Sequence, residues 1–98
     1  MTDPSGNTHN HAFFAAMQCP SNVTWTNDIR KLFTATDIAH MKTKGIDLSD
    51  YTSVMINAVA IYTQVSSGGM PPAGSGEQPW SAQWVNTFGC WIKQQCPQ

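Results

Sequence analysis

Charged side chains are scarce in this 98-residue chain, which has five Lys and Arg, six Asp and Glu and a formal net charge of −1. An average globular domain devotes about 25% of its residues to charge. The sequence therefore lacks the basic patch that binding to nucleic acid or to an anionic membrane requires. It also lacks an apolar run near the roughly 18 residues of a membrane span. We expect no nucleic-acid partner and no membrane partner.

The hydrophobic content excludes a disordered chain, since 41% of the residues are hydrophobic and four of them are Trp. The length suits one small domain and not two. We expect residues 1–10 to form a flexible polar arm and residues 11–98 to form a single helical domain. The N-terminal residues are polar and do not read as a signal peptide. The high content of Ser, Thr, Asn and Gln leans toward a secreted protein, but the sequence leaves the compartment open.

Three cysteines are an odd number, so at least one thiol stays unpaired within the chain. Cys19 and Cys96 each precede a proline and flank the expected core, and we predict a disulfide between them. Cys90 then lies inside an aromatic helix, where a thiol behaves as a small hydrophobe. Three free thiols in a reducing compartment are the alternative. We predict no metal site, because the His9–His11 pair lies in the region of the polar arm.

The strongest helical pattern lies at the C-terminal end. Ser81 is a suitable N-cap, and we predict a helix from there to about Gln94. Its apolar residues recur at the spacing of one helical face: Trp84, Val85, Phe88, Trp91 and Ile92. Residues 67–80 contain three Pro and four Gly, a composition that predicts a loop before this last helix.

Three earlier helices are predicted from weaker patterns. Thr26 or Asn27 caps the first, whose apolar residues are Ile29, Leu32 and Phe33. The second begins at Thr36–Asp37 and ends before Gly45. Asp47 or Ser49 caps the longest, which covers about residues 50–66. An apolar segment at residues 11–17 adds one or two helical turns. The expected class is all-α, with four to five short helices.

Several short motifs follow one another along the chain: Asp28–Phe33, Gly45–Tyr51, Gly69–Pro72, Trp80–Ser81, Phe88 and Trp91–Ile92. In this order and spacing they resemble small class I cytochrome c domains, and the resemblance covers about residues 25–93. The resemblance implies an orthogonal helical bundle with a long Pro/Gly loop before the last helix.

The haem-attachment motif of that family is missing. Covalent attachment needs Cys-x-x-Cys-His, and the corresponding segment here is Thr36-Asp37-Ile38-Ala39-His40. The histidine is present, but neither cysteine is. We therefore predict a haem-free cytochrome c-like domain that has no cofactor.

Our first functional hypothesis is that the former cofactor space binds a small organic ligand or a partner protein. Ligand pockets are mostly apolar, and Trp is also a favoured anchor of protein interfaces. The alternative is that the same side chains collapse inward and fill the space. The candidate walls are Trp25, Phe33, Met41, Tyr62, Met70, Trp80 and Trp84.

Two other hypotheses centre on His40. In one, the domain is an isomerase, cyclase or dehydratase for a small metabolite. His40 then acts as general acid or base beside Asp37, which lies three residues earlier on the same helix face. In the other, His40 and Met70 are the axial ligands of a non-covalent haem in an electron carrier.

Overall fold

The structure is a computed structural model that describes residues 13–70 and 76–98. These residues form helices connected by turns and loops and contain no strand, which confirms the all-α class. After the helical residues 13–15 come a π-helical turn and a 3₁₀ turn, followed by four α-helices. Their bounds are Trp25–Ile29 (π), Arg30–Leu32 (3₁₀), Ala35–Lys42 (α1), Tyr51–Ile56 (α2), Ala58–Ser67 (α3) and Ala82–Lys93 (α4).

Two predicted N-terminal segments are only partly covered. The polar arm at residues 1–10 lies outside the described residues. Of the apolar segment at 11–17, residues 13–15 are helical. None of the helices in the described ranges is both long enough and apolar enough to cross a membrane.

Side-chain caps mark the start of the π-helical turn and of α1, α2 and α4. Ser81 caps α4 by accepting a hydrogen bond from the backbone N–H of Trp84 at 3.1 Å, so the predicted position of the last helix is confirmed. Asp50 caps α2 through the N–H of Ser53. The π-helical turn is capped by Thr24, so the prediction of Thr26 or Asn27 as the first cap is wrong. These caps satisfy N–H groups that have no partner within a helix.

The predicted helix over residues 50–66 is divided into α2 and α3 at Asn57. The side-chain amide of Asn57 donates to the Ser53 carbonyl at 2.8 Å, and its own backbone N–H donates to the same oxygen. Asn competes with the helical ladder in this way, and its backbone departs from helical geometry. The helical spacing of apolar residues continues on both sides of Asn57, so the sequence pattern alone does not predict this break.

Helix α4 is the centre of the hydrophobic core. Phe88, Cys90 and Trp91 are fully buried. Gly89 lies between them, and a Cβ at this position would come within 2.6 Å of the Met17 thioether and 3.0 Å of the Tyr62 ring. A larger residue here would force these side chains to move. The remaining core residues come from every other helix, from the π-helical and 3₁₀ turns and from the connecting segments: Val23, Trp25, Ile29, Leu32, Phe33, Met41, Leu48, Val54, Ala58, Ile61, Val65, Met70, Trp80 and Cys96.

The C-terminal segment folds back along the π-helical turn. The backbone N–H of Trp25 donates to the Pro97 carbonyl at 2.9 Å, and the Trp91 indole N–H donates to the same carbonyl at 2.8 Å. The Tyr51 hydroxyl donates to the Cys96 carbonyl at 2.6 Å. These bonds join residues up to 72 apart in sequence, and they satisfy the polar atoms of an otherwise aromatic region.

A disulfide is present, but the predicted pairing is wrong. Cys19 pairs with Cys90, not with Cys96. Cys90 faces the segment that contains Cys19, which is also anchored to α4 by Lys93 and Gln94. Cys96 is a free, buried thiol, and burial raises its pKa to about 11. The prediction used the positions of the two Cys-Pro dipeptides along the sequence. Pairing depends instead on which cysteine side chains lie close together in the fold, and α4 places Cys90 next to Cys19.

Candidate functional site

A cleft of about 490 Å³ opens between the start of α1 and the segment that leads into α4. Two tryptophans supply much of its apolar wall, and two carboxyl groups supply its acidic part. The lining residues are Thr34, Asp37, Glu77, Gln78, Pro79, Trp80, Ser81 and Trp84. The cleft lies beside two helix N-termini, because Thr34 caps α1 and Ser81 caps α4.

Asp37 is placed at the cleft by a capping box. The Thr34 hydroxyl accepts from the Asp37 N–H at 3.1 Å, and the Thr34 N–H donates to Asp37 Oδ2 at 3.2 Å. The two residues thereby satisfy each other's backbone groups at the start of α1. The sequence pattern Thr-x-x-Asp is therefore sufficient to explain one oxygen of this carboxyl group.

The other oxygen is not explained by the cap. Asp37 is 1% exposed, and its Oδ1 has no hydrogen-bond partner among the described residues. The Trp80 side chain approaches the carboxyl group and lowers its pKa, but it does not form a hydrogen bond with Oδ1. A buried acceptor without a partner costs about 1–3 kcal/mol, so Oδ1 lowers the folding stability of this small domain.

Burial dominates the electrostatics of Asp37. It raises the pKa of the carboxyl group above the ordinary value of 3.8, and the nearby Glu77 carboxylate raises it further. The hydrogen bonds with Thr34 act in the opposite direction without cancelling the rise. The charged form is disfavoured because the group has lost water and faces a like charge.

Thr34 connects the two carboxyl groups. Its hydroxyl donates to Glu77 Oε1 at 2.9 Å, and its backbone N–H donates to Asp37 Oδ2. Glu77 lies 43 residues after Thr34 in sequence, so this contact fixes the segment before α4 against the start of α1. A single threonine thus holds two acidic groups at one cleft.

The tryptophan wall has one buried and one exposed ring. Trp80 is 8% exposed and packs on Phe33 of the core, with ring centroids 5.6 Å apart. Trp84 is 42% exposed and meets Trp80 edge to face at 5.8 Å. Large exposed apolar side chains beside a concavity are typical of binding sites.

The predicted wall residues separate into two groups. Trp80 and Trp84 line the cleft, but the other five do not. Four of those five are buried in the core, and Tyr62 is half-buried against it. For most of the predicted wall, the geometry therefore matches the alternative in which aromatic side chains pack inward. The five are Trp25, Phe33, Met41, Tyr62 and Met70.

His40 and Asp37 occupy the same helix but differ in environment. Asp37 lines the cleft, whereas His40 is half-buried and is not among the lining residues. The backbone carbonyl of His40 accepts from the Thr43 hydroxyl at 2.6 Å near the end of α1. Met70 is fully buried in the core. The catalytic and haem-ligating roles of His40 stay predictions.

Sequence reasoning missed Thr34, Glu77, Gln78, Pro79 and Ser81 as parts of a site. Two signals were present. The Thr-x-x-Asp pattern marks a capping box. Glu77 is the only charged residue between Asp50 and Lys93, and it lies in a Pro/Gly-rich segment. Neither signal states that the two acidic residues meet. Within residues 13–70 and 76–98, no group of three or more His, Cys, Asp or Glu could hold a metal ion.

The fold and the site together define an all-α domain with an acidic, tryptophan-lined cleft. Comparison with curated proteins finds similarity to cyclopenase asqI of Emericella nidulans, with 34% identity over 89 residues. The match covers 81% of this chain but 12% of the cyclopenase, so the chain spans about one eighth of that protein's length. No protein-family model matches the chain, and no solved structure matches it.

Proposed function

We propose that this domain binds a small organic molecule in the cleft lined by Asp37, Glu77, Trp80 and Trp84. The observation that carries the proposal is Asp37 Oδ1, a buried acceptor with no partner among the described residues at the edge of a cleft of about 490 Å³. The capping box with Thr34 accounts for Oδ2 and leaves Oδ1 without a donor. A perturbed acid in a cleft is a recognised indicator of a functional site.

The volume and chemistry of the cleft support a ligand of modest size. Small-molecule sites are concave and mostly apolar, with a few polar groups that fix the orientation of the ligand. Trp80 and Trp84 provide the apolar surface here, and the two carboxyl groups provide the polar anchor. Among the predicted wall residues, these two tryptophans support the ligand hypothesis most directly.

Similarity to a cyclopenase supports a role in an enzyme-like protein. The named relative is much longer than this chain, so we propose that the domain contributes a ligand-binding cleft within such a protein. The cytochrome c-like arrangement stays part of the proposal. It is supported by the order of the sequence motifs and by the non-helical residues 76–81 that precede α4.

Intrinsic tryptophan fluorescence tests the binding proposal, because Trp80 and Trp84 border the cleft. A panel of small aromatic molecules is titrated into the chain, and wild type is compared with Trp84→Ala. We expect a saturable change in emission for at least one compound, and its loss in Trp84→Ala. Phe13→Ala, at another exposed aromatic residue, is the matched control. Equal responses in wild type and Trp84→Ala would contradict the proposal.

Acid–base catalysis in the same cleft is a second candidate function. It is favoured by the raised pKa of Asp37 and by the enzyme name of the relative. Proton transfer requires a group that touches the substrate, so Asp37 fits this role better than His40. If the domain is catalytic, Asp37→Asn abolishes turnover and His40→Ala retains it. The reverse result would restore His40 as the acid or base.

A further inference from the structure

We propose that the cleft selects an organic cation, namely a protonated amine with at least one N–H, attached to a small apolar body. This inference rests on the proposed binding function and names the chemical class of its ligand. Three properties of the cleft lead to it: an acceptor that lacks a donor, two acidic groups held together, and two tryptophan rings beside them.

The first property is the need for a donor. Asp37 Oδ2 accepts from the Thr34 N–H, whereas Oδ1 accepts from none of the described groups. A ligand that donates one hydrogen bond would complete the set around this carboxyl group. A neutral donor and a protonated amine both meet this requirement, but a quaternary ammonium group does not, because it has no N–H.

The second property is the sign of the charge. Asp37 and Glu77 act on each other as like charges and are held on the backbone and the side chain of the same threonine. A cation placed beside them would favour the ionised form of both groups, whereas an anion would add to the repulsion. Hydrogen bonds between charged partners are also the stronger kind. The charge requirement therefore separates the amine from neutral donors.

The third property is the aromatic wall. The Trp80 and Trp84 rings meet edge to face with centroids 5.8 Å apart, so they present surfaces in two directions. A cation near a tryptophan face is attracted by the ring quadrupole, and tryptophan is the best of the aromatic side chains for this contact. The same rings cover the apolar body of the ligand. A bare metal ion would gain little from this wall, and the described residues offer it only two carboxylates.

Three probes of the same shape test the inference: benzylammonium, neutral benzyl alcohol and anionic benzoate. Each is titrated into the full 98-residue chain at pH 7 and low salt, with calorimetry and tryptophan emission as readouts. We expect benzylammonium to bind at least tenfold more tightly than benzyl alcohol, and benzoate not to bind. Benzyltrimethylammonium, which keeps the charge but has no N–H, is expected to bind more weakly than benzylammonium.

Variants locate the effect at the cleft. We expect Asp37→Asn to weaken benzylammonium binding at least tenfold and to leave benzyl alcohol unchanged. Glu77→Gln gives a second, independent loss if Asp37→Asn folds poorly. Asp47→Asn is the matched control, because Asp47 is an exposed carboxylate bonded to Ser49 and lies outside the cleft. It should bind benzylammonium as wild type does.

The outcomes distinguish the two levels of the proposal. Equal affinity for benzylammonium and benzyl alcohol, both lost in Trp84→Ala, would overturn the cation inference and leave the binding proposal standing. Unchanged benzylammonium affinity in both Asp37→Asn and Glu77→Gln would do the same. If no probe binds and no aromatic compound of the panel binds, both proposals are wrong.

Discussion

The aromatic core around α4 and the cleft beside it use similar residues in different ways. In the core, the Trp91 indole donates to the Pro97 carbonyl and the Tyr51 hydroxyl to the Cys96 carbonyl. In the cleft, Asp37 is as deeply buried as Trp91, yet one of its oxygens has no partner in the described structure. Trp84 is left 42% exposed. Burial in the core is matched by satisfied hydrogen bonds, and burial in the cleft is not.

Under the proposed function, this difference separates a region organised for stability from a region organised for a ligand. Unsatisfied buried groups are uncommon in native proteins and call for an explanation. Residues that serve function often reduce stability, because the arrangement that suits a ligand is not the one that suits the empty fold. Substitutions in the core should therefore lower stability strongly, and substitutions in the cleft should mainly change binding.

The largest effect is expected for Trp91→Ala. The side chain is fully buried and donates a hydrogen bond to Pro97. Its removal leaves a large cavity and takes away one of the two hydrogen bonds to the Pro97 carbonyl, which keeps the bond from the Trp25 N–H. We therefore expect the free energy of unfolding to fall by about 3–5 kcal/mol. Urea denaturation followed by circular dichroism measures the change. A loss of less than about 1 kcal/mol would contradict the central position of α4 in the core.

Removing the Cys19–Cys90 disulfide is expected to have the next largest effect. The bridge closes a loop with a sequence separation of 71, and disulfides of this kind contribute about 2–4 kcal/mol. The double variant Cys19→Ser/Cys90→Ser removes it without leaving a new free thiol. Its midpoint of urea denaturation should fall clearly below that of wild type.

Cys96→Ser is the matched control for the bridge, since Cys96 is buried but unpaired. Peptide mapping under non-reducing conditions should recover the Cys19–Cys90 cross-link in both wild type and Cys96→Ser. A Cys19–Cys96 peptide in wild type would contradict the Cys19–Cys90 pairing.

Trp84→Ala is expected to have a small effect on stability and a large one on binding. The ring is partly exposed and contacts Trp80 at its edge. We expect a loss of about 1 kcal/mol or less in the free energy of unfolding, together with loss of benzylammonium binding. Paired denaturation and calorimetry measure the two effects. A loss of stability as large as that of Trp91→Ala would place Trp84 in the core and remove the contrast between the regions.

The smallest effect on stability is expected for Asp37→Asn. Whether this variant is more or less stable than wild type shows whether the carboxylate serves the fold. The pKa of Asp37 is raised in the folded protein, so the folded state holds the proton over a pH range in which the unfolded chain has released it. The contribution of Asp37 to stability therefore decreases as pH rises from about the unfolded value of 3.8 through the folded pKa. Asn keeps an acceptor for the Thr34 N–H and does not ionise.

We accordingly expect Asp37→Asn to be at least as stable as wild type at pH 7 and to lack this part of the pH dependence. Thermal denaturation from pH 3 to 8 measures it, with Asp47→Asn as the control. Burial is the main cause of the shift at Asp37, whereas hydrogen bonds with Ser49 lower the pKa of the exposed Asp47. A clear destabilisation of Asp37→Asn at pH 7 would mean that the carboxylate serves the fold.

Much of the helical structure followed from local chemistry. The last helix was predicted correctly because Ser81 is a strong cap and the apolar spacing from Trp84 to Ile92 is regular. The long helix at residues 50–66 was predicted as one element, because a periodic pattern does not register a single Asn side chain that competes for a carbonyl. The cytochrome c-like arrangement of the helices stays a prediction.

The candidate site was predictable only in fragments. Asp37, Trp80 and Trp84 were all proposed from the sequence, but they were assigned to different roles and grouped with residues that lie in the core. Glu77 was not proposed at all. A sequence pattern reports the neighbours of a residue along the chain, and the partner of Thr34 that completes this site lies 43 residues away.

The scarcity of charge, the all-α class and the Ser81 cap of the last helix were determined by the sequence alone, because composition and short-range hydrogen bonds act within a few residues. Tertiary structure decided the rest. It selected Cys90 as the partner of Cys19, placed five of the seven predicted wall residues in or against the core, and brought Asp37 beside Glu77. These outcomes depend on which surfaces of the helices meet, and that choice is made by the packing of the whole chain.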